Sequence, residues 1–223
     1  MNRKFISFSK KIYQCNKCTR LVNFRNKISL KKRKSYLDQV YWGKPISGFG
    51  DLNGNIIIVG LAPAAHGATR TGRVFTGDKS ADFLFNCLFK SGLSNQPNSD
   101  HINDGLKLKN TFITLALRCV PPEDKPTKEE LKNCSAFLKE ELNMIKNKKV
   151  IVALGKIAFD ACIKFYKENY GLMGSYKFGH GSKYDINGLT IFGCYHPSPR
   201  NVNTKRINTT KMTYLFKRAK KLI

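Results

Sequence analysis

Four short apolar runs are spaced along the chain, and each is followed within a few residues by Gly, Pro or His. They span residues 55–60, 111–118, 149–154 and 189–195. The runs are rich in β-branched residues and too short for typical helices, so each predicts a buried strand. Residues 1–50 are basic and contain no comparable run.

Helical periodicity separates these strands. It predicts helices over residues 80–93, from about 127, over 155–166, and from 204 toward the chain end. Asp78 or Ser80 is the predicted N-cap of the first helix, and residues 127–130 form a capping box for the second. Strands that alternate with helices predict a parallel sheet covered on both faces. We therefore expect one α/β domain over residues 1–223, with a central parallel sheet of four strands.

The charge of the chain points to a polyanionic partner. Forty Lys and Arg oppose 15 Asp and Glu, for a net charge of +25. Lysine and arginine bind phosphates without regard to sequence, so nucleic acid is the first interpretation, ahead of a membrane surface or solubility alone. No apolar run approaches the length of a membrane span, and the first residues are too polar for a secretory signal. We expect a cytoplasmic protein.

Seven cysteines are many for a reduced compartment. Cys15 and Cys18 are two residues apart, whereas Cys119 and Cys134 flank a Pro-Pro turn between a strand and a helix. Two such pairs can converge on one site of four thiolates, which suits either zinc or an iron–sulfur cluster. The alternative is that the cysteines are core residues, which is our interpretation for the remaining three, namely Cys87, Cys162 and Cys194.

Two loops that follow predicted strands carry the remaining chemistry. Residues 60–78 read Gly-Leu-Ala-Pro-Ala-Ala-His-Gly-Ala-Thr-Arg-Thr-Gly-Arg-Val-Phe-Thr-Gly-Asp, and residues 196–204 begin His-Pro-Ser-Pro-Arg-Asn. In an open parallel sheet, ligands bind outside the carboxyl ends of the strands. Both loops can therefore line one pocket, to which the first contributes backbone amides and an aromatic ring and the second an imidazole.

Together these motifs resemble the type-b, or fifth-family, uracil-DNA glycosylases. The resemblance runs from about Cys15 to Thr204 and includes Arg-Cys-Val-Pro-Pro at residues 118–122. It implies a three-layer α/β/α fold and a [4Fe–4S] cluster on Cys15, Cys18, Cys119 and Cys134, through which the N-terminal segment packs on the domain. It also implies a monofunctional hydrolase of base excision repair. Such an enzyme removes uracil, or another deaminated or damaged base, from DNA and leaves an abasic site; we expect a monomer.

The resemblance also assigns roles in the base pocket. Phe75 would stack on a base flipped out of the duplex, and backbone groups after Ala62 would add contacts. His196 would donate a hydrogen bond to the base carbonyl, where negative charge develops as the bond breaks. Residues 197–200, including Ser198 and Arg200, would enter the minor groove. Arg70, Arg73 and Arg200 would meet phosphates.

Two residues depart from the pattern. Thr69 stands where Asn or Asp is expected, and Leu115 stands where an Asn would read the base edge. We therefore expect a different or broader lesion, such as hypoxanthine or an alkylated base, or slow turnover. Thr69, Asp78 or His66 would position the water. The alternatives are a non-catalytic iron–sulfur relative that binds damaged DNA, and a zinc ribbon on an RNA-binding domain.

Overall fold

The computed structural model describes residues 3–223. Its helices are α1 (Arg3–Tyr13), α2 (Thr19–Leu30), α3 (Ala68–Thr71), α4 (Lys79–Lys90), α5 (Lys128–Met144), α6 (Lys156–Tyr170), α7 (Pro199–Asn203) and α8 (Thr209–Lys220). Its strands are β1 (Phe49–Gly50), β2 (Ile56–Gly60), β3 (Thr111–Leu115), β4 (Val150–Leu154), β5 (Lys183–Ile186) and β6 (Leu189–Cys194). Short 3₁₀ turns cover Lys34–Tyr36 and Pro122–Asp124.

The sheet has six strands, in the order β1-β3-β2-β4-β6-β5. The four predicted strands form its parallel centre, and β1 and β5 add antiparallel edges. The prediction of four strands is therefore corrected to six. β1 has only two residues, too few for a sequence pattern. β5 pairs with β6 through an Asn187-Gly188 turn with positive φ at both residues, which is a hairpin signal that we overlooked.

Alternate side chains of each central strand enter two separate cores. Ile56 and Ile58 pack in a cluster with residues of α4 and α8, whereas Ile57 and Val59 pack with residues of α5 and α6. This two-residue alternation buries both faces of the sheet and gives the three layers that the resemblance implied. Among the described residues, no helix is long and apolar enough to cross a membrane.

Local signals in the sequence fix the helix starts. The Asp78 side chain accepts a hydrogen bond from the amide of Ala81 at 3.0 Å and caps α4. The capping box of α5 is complete, because Thr127 and Glu130 each accept the other's backbone amide. The last long helix begins at Thr209 rather than 204, since a separate short helix, α7, follows the His196 loop.

A buried ion pair joins the end of β3 to α5. The Arg118 guanidinium lies 2.8 Å from the Glu141 carboxylate, and both side chains are almost fully buried. Glu141 also accepts the amide of Gly48 at 2.8 Å, and Arg118 donates to Thr114 at 2.9 Å. Buried charges require such partners. The pair holds the residues after β3 in place at the carboxyl end of the sheet.

Candidate active site

A pocket of about 340 Å³ lies at the carboxyl ends of the parallel strands. The residues that line it are Leu61, Ala62, Pro63, Ala64, Phe75, Asp78, Ser80, Leu115, Asp124, His196, Ser198 and Pro199. Six of our predicted site residues are among them, contributed by the loops after β2 and β6 and by the end of β3. The volume suits a small planar ligand.

Phe75 and Leu115 form an apolar wall of this pocket, and Gly60 makes room for both. A Cβ built on Gly60 would lie 2.8 Å from the Phe75 ring and 2.9 Å from the Leu115 side chain. Phe75 itself has a φ of 46°, which is rare for a bulky residue. Backbone strain of this kind is concentrated at functional sites. Phe75 therefore adopts a strained backbone conformation where its ring forms the pocket wall.

Asp78 serves the helix and the pocket at once. While its carboxylate caps α4, it also lines the pocket. The carboxylate lies so close to Gly67 that any Cβ there would collide with it. Burial raises the pKa of Asp78, although backbone hydrogen bonds from Ala81 and Ser80 act in the opposite direction. A carboxyl group with a raised pKa in a pocket is suited to proton transfer or to orienting water.

His196 lies two residues beyond the end of β6 and faces Phe75, with the two ring centres 5.9 Å apart. Its backbone carbonyl accepts a hydrogen bond from the Asn201 side chain at 2.9 Å, and Ser198 caps the next helix by accepting the Asn201 amide at 3.4 Å. Burial lowers the pKa of His196 to about 4. The imidazole is therefore neutral at physiological pH and retains one N–H to donate.

Arg73 has a structural role, which corrects the prediction that it meets a phosphate. Its buried guanidinium forms a two-point ion pair with Asp104, at 2.9 and 2.6 Å, and donates to Ser99 at 2.9 Å. Burial would raise the pKa of Asp104, but hydrogen bonds from Arg73 and from backbone amides hold it well below its usual range. A charge neutralised inside the protein is not available to DNA.

Arg70 and Thr69 also lie outside the pocket. Arg70 donates to the carbonyls of His66 and Gly77, both at 2.7 Å, and to Gln39 at 2.6 Å. These acceptors are neutral, so the contact of Arg70 with a phosphate stays a prediction. Thr69 is buried, and within residues 3–223 its hydroxyl finds no hydrogen-bond partner. Thr69 therefore cannot position water in the pocket in this conformation. Arg200 is exposed on α7 beside the pocket.

Sequence reasoning missed Asp124. It lies on the pocket rim, in a 3₁₀ turn where Glu123 and Asp124 both have positive φ, 54° and 57°. The preceding Pro121-Pro122 indicated a turn but not its direction. His66 faces away from the pocket, where its Nδ1 is 2.9 Å from the Tyr41 hydroxyl, and burial lowers its pKa.

The four predicted metal-binding cysteines come from three parts of the chain. Cys15 and Cys18 lie between α1 and α2, Cys119 follows β3, and Cys134 lies on α5. Burial raises the pKa of Cys119, with a smaller contribution from the nearby Cys15 and Cys18 thiols. Burial likewise raises the pKa of Cys134 to about 12, and Cys119 and Cys15 add to this shift. The four thiols therefore share one neighbourhood.

Nitrogen donors surround these sulfurs. The Arg25 guanidinium donates to Cys119 Sγ at 3.1 Å, the Arg118 amide to Cys134 Sγ at 3.3 Å, and the Asn133 side chain approaches Cys18 Sγ at 3.7 Å. Arg25 is buried, and its Nε has no partner in the described part of the chain. Its other hydrogen bonds go to Cys15 O and Asn16 Oδ1, which are neutral acceptors.

Comparison with known proteins agrees with this arrangement. A family model described as the uracil DNA glycosylase superfamily matches residues 47–220. The Type-5 uracil-DNA glycosylase of Pyrobaculum aerophilum is 42% identical over 212 residues, which cover 95% of this chain and 90% of that protein. The Type-5 uracil-DNA glycosylase of Thermus thermophilus is 38% identical over 97% of both chains. A Type-4 uracil-DNA glycosylase of P. aerophilum is 27% identical over 71% of this chain.

The α/β/α fold, the pocket at the strand ends and the match over most of the chain define the class: this protein belongs to the uracil DNA glycosylase superfamily. Within the superfamily, the near full-length relatives at about 40% identity carry the Type-5 name. The chain is therefore a member of the Type-5 branch.

Proposed function

We propose that this protein is a DNA glycosylase of base excision repair, which hydrolyses the N-glycosidic bond of uracil or another deaminated or damaged base. The observation that carries the proposal is the pocket itself, in which the Phe75 ring, the neutral His196 imidazole and the Asp78 carboxylate meet. Water adds to C1′ of the sugar as the bond to the base breaks. The base takes the bonding electrons and later a proton, and an abasic site remains.

His196 would stabilise the departing base. Electrons from the broken bond accumulate on the base and its carbonyl oxygen, so an N–H aimed at that oxygen lowers the barrier. Because burial keeps the pKa of His196 near 4, the imidazole donates as a neutral group. It need not transfer its proton, and its donor capacity does not change between pH 5 and 8.

Asp78, rather than Thr69, is our proposed water-positioning group. Asp78 lines the pocket, whereas Thr69 is buried outside it. Its carboxylate could accept a proton from the attacking water and would also favour the positive charge that develops on the sugar. The dual use of this side chain as a helix cap fixes its position relative to Phe75.

Leu115 makes the pocket less selective than an amide would. Its side chain is buried in the pocket wall and offers neither a donor nor an acceptor to the base edge. A polar base atom left without a partner costs about 1–3 kcal/mol. Every base pays a similar cost, so we propose slow excision with weak discrimination between uracil, hypoxanthine and bulkier lesions.

An iron–sulfur cluster is part of the proposal, and the donors around the cysteines support it. Arg25 is a buried cation that has no carboxylate partner among residues 3–223, which is costly unless an anionic group lies beside it. N–H groups aimed at sulfur are typical of thiolate clusters. The four thiols and the N–H groups around them fit a [4Fe–4S] cluster. Iron content, or absorbance near 400 nm, separates this cluster from zinc.

When bound, the cluster would cross-link the N-terminal segment, through Cys15 and Cys18, to Cys119 and Cys134. This attachment would let residues 1–223 act as one domain. We propose that the protein works as a cytoplasmic monomer. Its DNA contacts include Ser198 and Arg200, which follow the His196 loop at the pocket rim.

The proposal is tested with end-labelled duplexes that each carry one uracil, hypoxanthine, xanthine or ethenocytosine. Alkali cleaves the strand wherever a base has been removed. We expect abasic product with the wild type, a loss with His196→Ala, and faster uracil excision with Leu115→Asn. Tight binding of these duplexes without any abasic product would instead support the alternative, a non-catalytic iron–sulfur relative that recognises damaged DNA.

A further inference from the structure

A basic segment leaves α2 and folds over the loop that follows β2. We call residues 31–40 the basic strap. The strap opens with Lys31-Lys32-Arg33-Lys34 and contains one acid, Asp38. Within residues 3–223 none of these four cations forms an ion pair. The strap therefore concentrates positive charge at one place on the surface.

The loop after β2, residues 60–78, holds the strap in place. The Arg70 guanidinium stacks 4.0 Å from the centre of the Tyr36 ring and donates to Gln39 at 2.6 Å. Just beyond the strap, the Tyr41 hydroxyl lies 2.9 Å from His66 Nδ1. These contacts explain why Arg70 and His66 do not face the base pocket. The two side chains hold the strap, and Tyr41 after it, against the loop that follows β2.

The strap borders the base pocket. Between the strap and the β2 loop lies a cleft of about 390 Å³, lined by Arg33 on the strap side and by Asp78, which also lines the base pocket. Asp82 and Asp100 also line the cleft, together with the cations Arg70 and Lys79. With three carboxylates against three cations, the cleft interior carries no net positive charge, so a polyanion would lie along the outer, cationic side of the strap.

The strap also contains two large apolar side chains that are exposed. Leu37 is 63% exposed and Val40 is 92% exposed. Cations beside exposed apolar side chains match the groove of nucleic acid, where the cations meet phosphates and the apolar groups meet sugars and base edges. An acidic protein would also attract the cations, but it would not require a position beside the base pocket.

We propose that the basic strap is a second DNA-binding element, which grips the duplex beside the flipped nucleotide. This inference rests on the proposed function, because it takes the pocket to be the site of the flipped base. The strap covers the loop after β2, whereas Ser198 and Arg200 follow β6, and one strand, β4, lies between them. Strands β2 and β6 are about 10 Å apart across the sheet, and we infer that the two elements hold the duplex on opposite sides of the pocket.

The first experiment measures DNA binding alone. The probe is a fluorescent duplex with a tetrahydrofuran abasic analogue, and anisotropy gives Kd between 50 and 200 mM KCl. The double variant Arg33→Ser/Lys34→Ser should reduce the slope of log K against log salt by about 1.8 and weaken binding roughly 10- to 60-fold. The matched control is Lys107→Ser/Lys109→Ser, which removes two exposed charges from the amino end of β3 and should change neither quantity.

An unchanged salt slope in the strap variant, or equal losses in both double variants, would overturn the inference. The assay contains no cleavage step, so it separates this inference from the glycosylase proposal. Should the wild type make no abasic product while the strap variant still loses salt dependence, the strap proposal stands and the glycosylase proposal fails.

A second variant tests the apolar side chains. Leu37→Ser/Val40→Ser keeps the charge and should slow single-turnover uracil excision from duplex DNA by about fivefold or more, while excision from a single strand stays unchanged. The reason is that only a duplex has a groove for these side chains and a base pair to open. Equal rates of wild type and variant on the duplex would show that Leu37 and Val40 do not contact DNA.

Discussion

Removing the His196 imidazole should slow base release without a matching loss of DNA affinity. The ring lines the base pocket and faces Phe75 at 5.9 Å between ring centres. If its N–H stabilises charge that appears only as the bond breaks, His196→Ala removes transition-state stabilisation alone. Loss of one such donor typically costs 10²–10³ in rate, or about 2.7–4 kcal/mol. The control is His101→Ala, which removes an exposed loop histidine and should leave the rate unchanged.

The pH dependence sharpens this prediction. With the pKa of His196 lowered to about 4 by burial, roughly 90% of the imidazole is still neutral at pH 5. A histidine with an ordinary pKa of about 6.5 would be only about 3% neutral there. The ratio of the wild-type rate to the His196→Ala rate should therefore stay constant from pH 8 to pH 5. A change in the ratio should appear only near pH 4, where the imidazole gains its second proton.

The assay is single-turnover uracil excision with enzyme in excess, measured for both proteins at each pH. Using the ratio cancels every other group that titrates in both proteins, including Asp78 with its raised pKa. A ratio that changed about 30-fold between pH 8 and 5 would show that His196 gains a proton in this range. Such a result would refute the neutral-donor mechanism.

Two further predictions concern the frame of the site. Glu141→Gln leaves the buried Arg118 cation without its carboxylate and should lower the free energy of unfolding by about 3–5 kcal/mol. The measurement is urea denaturation without oxygen. A loss below about 1 kcal/mol would contradict a stabilising role of the ion pair. Arg25→Gln removes the charged donor to Cys119 Sγ. In air, this variant should lose the cluster absorbance near 400 nm at least five times faster than the control Lys27→Gln, which lies on the same helix. Equal decay of the two variants would show that Arg25 does not stabilise the cluster.

Local sequence patterns predicted the central strands and the helices α4, α5, α6 and α8 well, but they did not predict α1 and α2. The strand predictions agree with β2, β3, β4 and β6 to within three residues at each end, and the caps at Asp78 and Thr127 are where expected. These features depend on side-chain alternation and on hydrogen bonds between residues three positions apart. Both are written in neighbouring residues, so they do not need the rest of the fold.

Such local patterns do not predict pairings between residues that are distant in sequence. β1 becomes a strand only because β3 offers it an edge, and Asp124 reaches the pocket only because the turn after Pro121-Pro122 adopts a left-handed backbone. The sequence does not show which residues will surround such a carboxylate once the loops pack.

The arginines of the first loop show the division most clearly. The position of residues 60–78 after a predicted strand was enough to place them near a pocket at the carboxyl end of the sheet. That Asp104 neutralises Arg73, and that Gln39 and Tyr36 of the strap contact Arg70, is visible only in the folded chain. Charge is a property of the residue, whereas its availability depends on which partners the fold brings within hydrogen-bonding distance, and here those partners lie about 30 residues away.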